Sequence, residues 1–543
     1  MTKKEQASNG SDDIDTASVI SSYDDVIDGS GENKTNPFAD PRVAQQFRDI
    51  YEKSEYECRH LFDPEMEWTE EEEKRVKRKL EWRVTGWACI MFMALQIDRA
   101  NLGQALADNL LDDLGLTTDD YNYGNTIFLL SFMSAEIPSQ LISKRLGPDR
   151  WIPLQICMWS IVAMSQGALS GRTSFFVTRS LIGLIEGGFI PDLVLWLSYF
   201  YKSKELPIRL SFFYTTMYGV NILTGLLAFG LLRIRLGGLQ GWRWLFIIEG
   251  FMTLLIGVAS FFRMPASAAQ TKTRFRKKGW FTDREEKIVV NRVLRDDPYK
   301  GDFNNRQAIT FKNIFTCLSD YHMWPIYAIG ITIYIGATPV GLYMTLTMRE
   351  IGFSPFNTNL LTIPPQVLRV CNLLLATWLS EYFNQRALFT LIEPLWSFGM
   401  LFALRFYSGI LSDAWSTYAI ITVTLGGPYV HAIVISWASR NSNTVAQRTM
   451  SAAVYNMCNQ ASGVIAANIY RADDFPKFTR GNTQLIAISG SSVVLVLLVK
   501  AYYMAVNKHR DKVWAKMSKE ERADYKANSK DTGSHRLDFR FAH

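Results

Sequence analysis

Twelve apolar segments, each close to the length that crosses a lipid bilayer, follow one another between residues 84 and 506. A spanning helix needs about 20 predominantly apolar residues. The hydrocarbon interior offers no water to backbone N–H and C=O groups, so segments of this kind satisfy those groups as helices. The segments run 84–106, 122–142, 151–169, 174–200, 208–232 and 242–263, then 322–347, 356–380, 388–407, 416–438, 449–470 and 483–506, called spans 1 to 12 in chain order. A polar stretch, 264–321, divides them into two sets of six. The pattern predicts an all-α membrane protein of twelve transmembrane helices arranged as two six-helix bundles. Five regions follow: a polar N-terminal tail (1–82), an N-terminal bundle (83–263), a central linker (264–321), a C-terminal bundle (322–506) and a basic C-terminal tail (507–543). The halves share no similarity visible by inspection, so the division rests on span count and linker position.

Composition agrees once it is read in windows. Hydrophobic residues make up 48% of the 543 and aromatics 13%. The mean hydropathy of -0.01 averages polar tails with an apolar middle, and windows decide such cases. A formal net charge of +6 is too mild to suggest nucleic acid, and the basic residues gather in loops between apolar runs. The first forty residues carry Asp12, Asp13, Asp15, Asp24, Asp25 and Asp28 among Ser and Gly. That is the composition of a disordered tail, without the apolar core of a cleavable signal. Residues 70–83 are densely charged and read as a helix leading to the membrane. Cys58, Cys89, Cys157, Cys317, Cys371 and Cys458 form no C-x-x-C pair and lie mostly in or beside apolar runs. They read as small buried apolar residues. No cofactor or metal is expected.

Charge sets the orientation. Lys144, Arg145 and Arg150 follow span 2, Lys202, Lys204 and Arg209 follow span 4, and Arg263, Lys272, Arg274, Arg276, Lys277 and Lys278 open the linker. Arg440 and Arg448 follow span 10, and the last tail is rich in Lys and Arg. The loop after span 1 instead carries Asp108, Asp112, Asp113, Asp119 and Asp120. By the positive-inside bias, both termini and the linker are cytoplasmic. Arg233, Arg235, Arg471 and Arg480 run against the trend. Pro and Gly recur inside the spans, where neighbouring helices re-satisfy the freed backbone groups. Gly219, Gly225 and Gly230 on span 5 are candidates for close helix packing.

A charge at mid-membrane costs roughly 2.5–3.5 kcal/mol on insertion scales. Asp98 and Arg99 lie inside span 1, and Arg179 and Glu186 on span 4. Arg179 and Glu186 are seven residues apart, two helical turns, and share a face; Gly183 between them is expected to keep that face open. These residues predict a water-accessible polar pocket. Arg99 would hold an anion through its fork of donors, with Asp98 neutralising it when the site is empty. Burial favours the neutral form of Glu186, which could then take up and release a proton. The bland alternative is a set of structural ion pairs locking helices near a membrane edge. Weaker candidates are His431, deep in span 10, with Glu393 and Arg369. Tyr218 and Asn221 on span 5 and Tyr343 on span 7 could line the path.

These residues fall in runs that resemble the major facilitator superfamily, and within it the fungal anion:cation symporters that include allantoate permease. The resemblance covers nearly the whole chain from about residue 40. It is carried by Asp98-Arg99-Ala100-Asn101-Leu102-Gly103, by Arg179…Gly183…Glu186-Gly187-Gly188…Pro191, and by Gly241-Trp242-Arg243-Trp244-Leu245-Phe246-Ile247-Ile248-Glu249-Gly250. Trp437-Ala438-Ser439-Arg440-Asn441 and Asn468-Ile469-Tyr470-Arg471-Ala472-Asp473-Asp474 also fit. The resemblance implies anion binding and proton coupling at Asp98, Arg99, Arg179 and Glu186. One departure is Lys144, in Gln140-Leu141-Ile142-Ser143-Lys144-Arg145-Leu146-Gly147, where the superfamily usually has an Asp. That puts the usual Asp-based gating latch in doubt. Leu294-Arg295-Asp296-Asp297-Pro298 and the ending His535-Arg536-Leu537-Asp538-Phe539-Arg540-Phe541 look most like yeast transporters of sulfonates, sulfite and thiosulfate.

The expected function is therefore proton-coupled import of a small anion, an oxidised sulfur compound first of all, by alternating access at a fungal plasma membrane. The partners are the anion, the proton and the bilayer, with a monomeric protein and no enzyme activity. Allantoate or other ureido acids, nicotinate and vitamin carboxylates are the alternative cargo. Two other classes are a nutrient sensor on a transporter fold, which the short tails disfavour, and a membrane acyltransferase around His431, which lacks a second catalytic group in register.

Overall fold

A computed structural model describes residues 36–39, 41–53, 56–202, 205–272, 279–296, 319–383, 385–442, 445–518, 521–522, 525 and 533–543. The expectation of a disordered tail for the first forty residues falls almost wholly outside the described residues, as does Cys317. The five other cysteines are free thiols, Cys371 exposed.

Every one of the twelve apolar segments carries helix, and the described residues contain no strand. Six helical stretches are long and apolar enough to cross a membrane: Thr118–Ser143, Arg172–Ser198, Gly241–Arg263, Pro355–Ser380, Arg386–Phe406 and Thr479–Lys516. Span 1, the helix Gly86–Ala105, stays outside that set because Gln96, Asp98, Arg99, Asn101 and Gln104 dilute its apolar content. Span 7 is three short helices, Trp324–Thr332, Thr338–Leu342 and Met344–Glu350. Span 10 breaks between Ala414–Leu425 and His431–Asn441, around Pro428. The Glu393 carboxylate of span 9 accepts the freed Val430 N–H at 3.0 Å, which gives Glu393 a structural task.

In the first half spans 3 and 6, 2 and 4, and 1 with both 5 and 6 pack together; in the second, spans 7 and 11, 9 and 12, and 10 and 11 do. The halves meet along spans 2 and 11 and along spans 5 and 8. Gly183 does not keep a face open. A Cβ there would lie 2.4 Å from the Phe128 carbonyl oxygen, so span 4 lies directly on the backbone of span 2. A Cβ at Gly225 would lie 3.0 Å from the Asn359 carbonyl, whereas one at Gly219 or Gly230 would face open space, so these two are not packing glycines.

Hydrogen bonds between the halves gather at the end carrying the acidic loop 108–120. Asn122 Nδ2 donates to the Tyr470 carbonyl at 2.5 Å, Asn468 Nδ2 to Thr126 Oγ1 at 2.7 Å and Thr345 Oγ1 to the Gly103 carbonyl at 2.8 Å. The arginines that ran against the charge trend are partly explained there: Arg235 pairs with Asp108 at 2.7 Å, Arg480 with Asp473 at 2.7 Å and Arg471 with Asp119 at 3.7 Å. The Gly241-Trp242 motif belongs to the same end. Asp108 accepts the Trp242 N–H at 2.9 Å and Asp113 the indole at 2.8 Å, capping span 6.

At the opposite end each half carries its own terminal segment. The helix Glu70–Leu80 starts with a capping box between Thr69 and Glu72 and leads through Glu81–Thr85 into span 1. Residues from 36 onward fold rather than trail. Phe38, Phe47, Tyr51, Phe62, Val76 and Leu80 join Ile288, Val289 and Leu294 of the linker helix Asp283–Asp296 in one apolar cluster. Arg284 donates to Glu72 at 2.6 Å and Lys79 pairs with Glu285 at 2.7 Å. Lys202 and Arg209 bind Glu73 and Glu81 at 2.7 and 2.6 Å, tying this module to the first half. On the second half Phe541 stacks on Tyr503 at 4.8 Å, and the Trp437 indole donates to the Ala542 carbonyl at 2.8 Å.

Candidate functional site

Successive side chains on a helix point about 100° apart, so Asp98 and Arg99 diverge although they adjoin. The expected neutralisation of Arg99 by Asp98 does not occur. Asp98 is fully buried and accepts from the Trp159 indole at 3.0 Å. The Thr253 hydroxyl of span 6 lies close by; it donates to the Gly250 carbonyl at 2.9 Å and takes a bond from Ser160 at 2.9 Å. Asp98 thus faces spans 3 and 6. Glu249 lies in the same interior, wholly buried, within electrostatic reach of Asp98. Neither of its carboxylate oxygens has a hydrogen-bond partner among the described residues.

Arg99 turns the other way and pairs with Glu186, Nε to Oε2, at 2.8 Å. The Glu186 side chain is 0% exposed and that of Arg99 23%. The close approach at Gly183 brings span 2 against this pair. Arg99 lies over the rings of Phe132 and Phe128, at 4.7 and 5.5 Å. Arg179, also buried, lies 4.5 Å from the Phe128 centroid. The aromatic faces stabilise two cations that apolar helices would otherwise reject. Glu186 thus has Arg99 as its contact partner, while Arg179 acts on it at longer range.

Between the halves lies a cavity of about 320 Å³, within the size range of small-molecule sites. Gln104 of span 1, Asn221 of span 5, Thr338 and Thr345 of span 7, and Gln366 and Arg369 of span 8 supply its polar lining. Asn221 Nδ2 reaches Gln366 Oε1 at 3.4 Å across the two halves. Of the expected path residues, Asn221 faces the cavity. Tyr343 does not. It is buried in the closed acidic-loop end, donating to Asn122 Oδ1 at 2.5 Å. The Tyr218 side chain lies outside the described residues, as does that of Lys144. His431 is stacked on Tyr429 at 5.4 Å and 13° and lies near Tyr455 and Tyr334, in the second half's aromatic core rather than on the cavity wall. Tyr429 in turn lies 5.1 Å from the Arg369 guanidinium.

Glu249, Gln104 and Gln366 are not among the candidates the sequence pattern singles out. Glu249 sits in the Gly241 run and, like Glu186, is an isolated acid in an apolar span, which is the signal that marks it. The glutamines gave no signal, because an amide in a span reads as packing until its wall is known. Chemically, the Arg99–Glu186 contact joins a fully buried acid to a partly exposed guanidinium, and protonation of the acid would break the ion pair.

Residues 88–467 match the family model described as Major Facilitator Superfamily. The chain is 42% identical over 537 residues, 98% of each chain, to the uncharacterized transporter YIL166C of Saccharomyces cerevisiae. It is 25% identical over 448 residues to the major facilitator-type transporter hxnP of Emericella nidulans, covering 81% of this chain and 88% of that one. Among solved structures it resembles the xylose transporter XylE of E. coli in a partially occluded inward-open conformation, with TM-score 0.56, 12% identity, and 78% and 97% of the two chains covered. A bacterial homologue of the human lysosomal transporter Spinster, in an inward-facing conformation, gives TM-score 0.54 at 14% identity, covering 77% and 95%.

Proposed function

This chain belongs to the Major Facilitator Superfamily, and from that premise we propose that it is a proton-coupled symporter importing a small anion by alternating access. The observation that carries this reading is the Arg99–Glu186 pair at 2.8 Å, its acid fully buried and its arginine partly exposed. A proton arriving on Glu186 removes the arginine's counter-charge. An anion then replaces it, so proton and anion enter together. With Glu186 ionised, Arg99 is occupied and anion binding is disfavoured. Removing one member of a buried pair leaves the other uncompensated, and that reciprocal penalty links the two cargoes. Asp98, with Glu249 beside it, is the rival proton carrier.

With the basic loops cytoplasmic, the closed acidic-loop end is the outer one, and the state is inward-facing. The protein acts as a monomer in the plasma membrane, with both termini inside. The cargo favoured by the chain's linker and C-terminal runs is an oxidised sulfur anion: a sulfonate, sulfite, thiosulfate or sulfate. Ureido acids such as allantoate, nicotinate and vitamin carboxylates are the alternative supported by the broader anion:cation symporter resemblance.

The test is made in proteoliposomes. Glu186→Gln should lose accumulation driven by a pH gradient yet keep substrate exchange, which needs no net proton movement. If Glu186→Gln still concentrates substrate with only a pH difference applied, Glu186 is not the coupling group and Asp98 takes its place.

A further inference from the structure

None of the charged groups of the first half is among the described residues that line the cavity. Among the described residues that line the 320 Å³ space, Arg369 alone carries a charge. Arg99 is committed to Glu186, while its neighbours Ala100, Gly103 and Gln104 form the wall. An anion entering this state therefore meets a cation on span 8 of the second half. The Arg369 guanidinium has the Tyr429 ring at 5.1 Å, with His431 stacked on that ring. Glu393 acts on it electrostatically while holding the Val430 N–H. Contact with a ring orients a planar guanidinium, whose N–H groups lie at its edge and match a carboxylate or sulfonate.

The rest of the wall is neutral. Gln104, Asn221, Gln366, Thr338, Thr345 and Thr362 offer both donors and acceptors. The acceptors on this wall call for an N–H or O–H on the cargo. Fully ionised sulfate or thiosulfate brings acceptors only. The volume argues the same way. At about 30 Å³ per water-sized group, the cavity holds a molecule well beyond the five atoms of such an ion.

We propose that Arg369 anchors the anion in this state, and that the cavity takes an organic monoanion whose charge points to the second half and whose neutral, donor-bearing body lies against Gln104, Asn221 and Gln366. The proposal rests on the anion-symport reading and narrows it.

The experiment measures uptake into proteoliposomes, with and without a pH gradient, of four labelled probes: sulfate, methanesulfonate, isethionate (which adds an O–H) and N-acetyltaurine (which adds an N–H). Isethionate or N-acetyltaurine should be carried with a KM about tenfold or more below that of methanesulfonate and sulfate. Arg369→Gln should raise that KM by about tenfold or more, and Arg369→Lys by less. Gln104→Leu should erase the preference for the donor-bearing probes over methanesulfonate and serves if Arg369→Gln does not fold. A wild-type KM in Arg369→Gln, or sulfate carried as well as the organic probes, overturns the proposal while leaving anion symport standing. If the wild-type protein carries none of the four under either condition, the oxidised-sulfur cargo is overturned and the proposal with it, while uptake of labelled allantoate or nicotinate in the same vesicles decides whether anion symport stands.

Discussion

Asp98 takes its hydrogen bond from the Trp159 indole, 3.0 Å away on span 3, and not from the arginine beside it in sequence. Span 1 therefore divides its two charges between separate environments, one sealed among spans 3 and 6 and one turned to span 4. Trp159→Phe deletes that donor while keeping most of the buried ring. An acceptor stripped of its partner in a dry interior costs about 1–3 kcal/mol. Thermal unfolding in detergent should show the loss, and Asp98→Asn in the Trp159→Phe background should lose less than the two changes summed. An unchanged melting temperature in Trp159→Phe would mean that the indole bond does not stabilise Asp98.

Gly183 and Gly219 make opposite predictions for the same substitution. A Cβ at Gly183 would sit 2.4 Å from a backbone oxygen of span 2, and backbone cannot give way as a flexible side chain does. Overpacking of this kind typically costs about 1–3 kcal/mol. Gly183→Ala should also displace Glu186 from Arg99 and impair transport. Gly219→Ala meets no atom within 4 Å and removes backbone freedom from the unfolded chain. It should be neutral or stabilise by about 0.5–1 kcal/mol. Side-by-side melting curves decide the sign.

Epitope tags at either terminus, or within residues 270–310, should be protected in intact cells. A tag placed between Asp108 and Asp120 should be labelled from outside. Labelling of the linker on sealed cells would contradict the orientation inferred from the loop charges.

The junction of the N-terminal segment with the linker should be acid-sensitive. The Arg284 guanidinium, with the Thr69 N–H, holds the Glu72 carboxyl down at about 2 against an ordinary 4.5. A depressed value means that the contact contributes fully above about pH 4.5 and fades as pH falls toward 2. Limited proteolysis between residues 56 and 69 should be flat from pH 7 to 5 and should quicken below that window. Glu72→Gln should flatten the dependence, leaving the part that the Lys79–Glu285 and Lys202–Glu73 pairs contribute as their carboxyls, also held low, titrate. A wild-type profile as flat as that of Glu72→Gln would show that the ion pair does not hold the segment.

How far the sequence reaches can be judged from particular residues. The helices were legible because a run such as 242–263 has no other way to satisfy its backbone in lipid. Arg99, Arg179 and Glu186 stood out because charge in such a run is costly. Their pairing was not legible. Spacing places Arg179 and Glu186 on one face, but the partner of Glu186 arrives from span 1, through a close approach that Gly183 permits and that no local pattern encodes. Arg369 was visible only as a weak candidate for the same reason, since its place on the wall depends on how span 8 meets spans 1 and 5. Tyr343 and His431 were misplaced because an aromatic side chain in a span looks alike whether it seals an end, fills a core or lines a cavity.

The two terminal segments have an experimental use. The N-terminal segment up to residue 81 is fastened to the first half through Glu73 and Glu81, and residues 533–543 to the second through Trp437 and Asn441. Fluorophores attached near Phe38 and His543 would therefore ride on different bodies. Their separation gives an optical ruler for each turnover of a single molecule, readable without knowing what is carried.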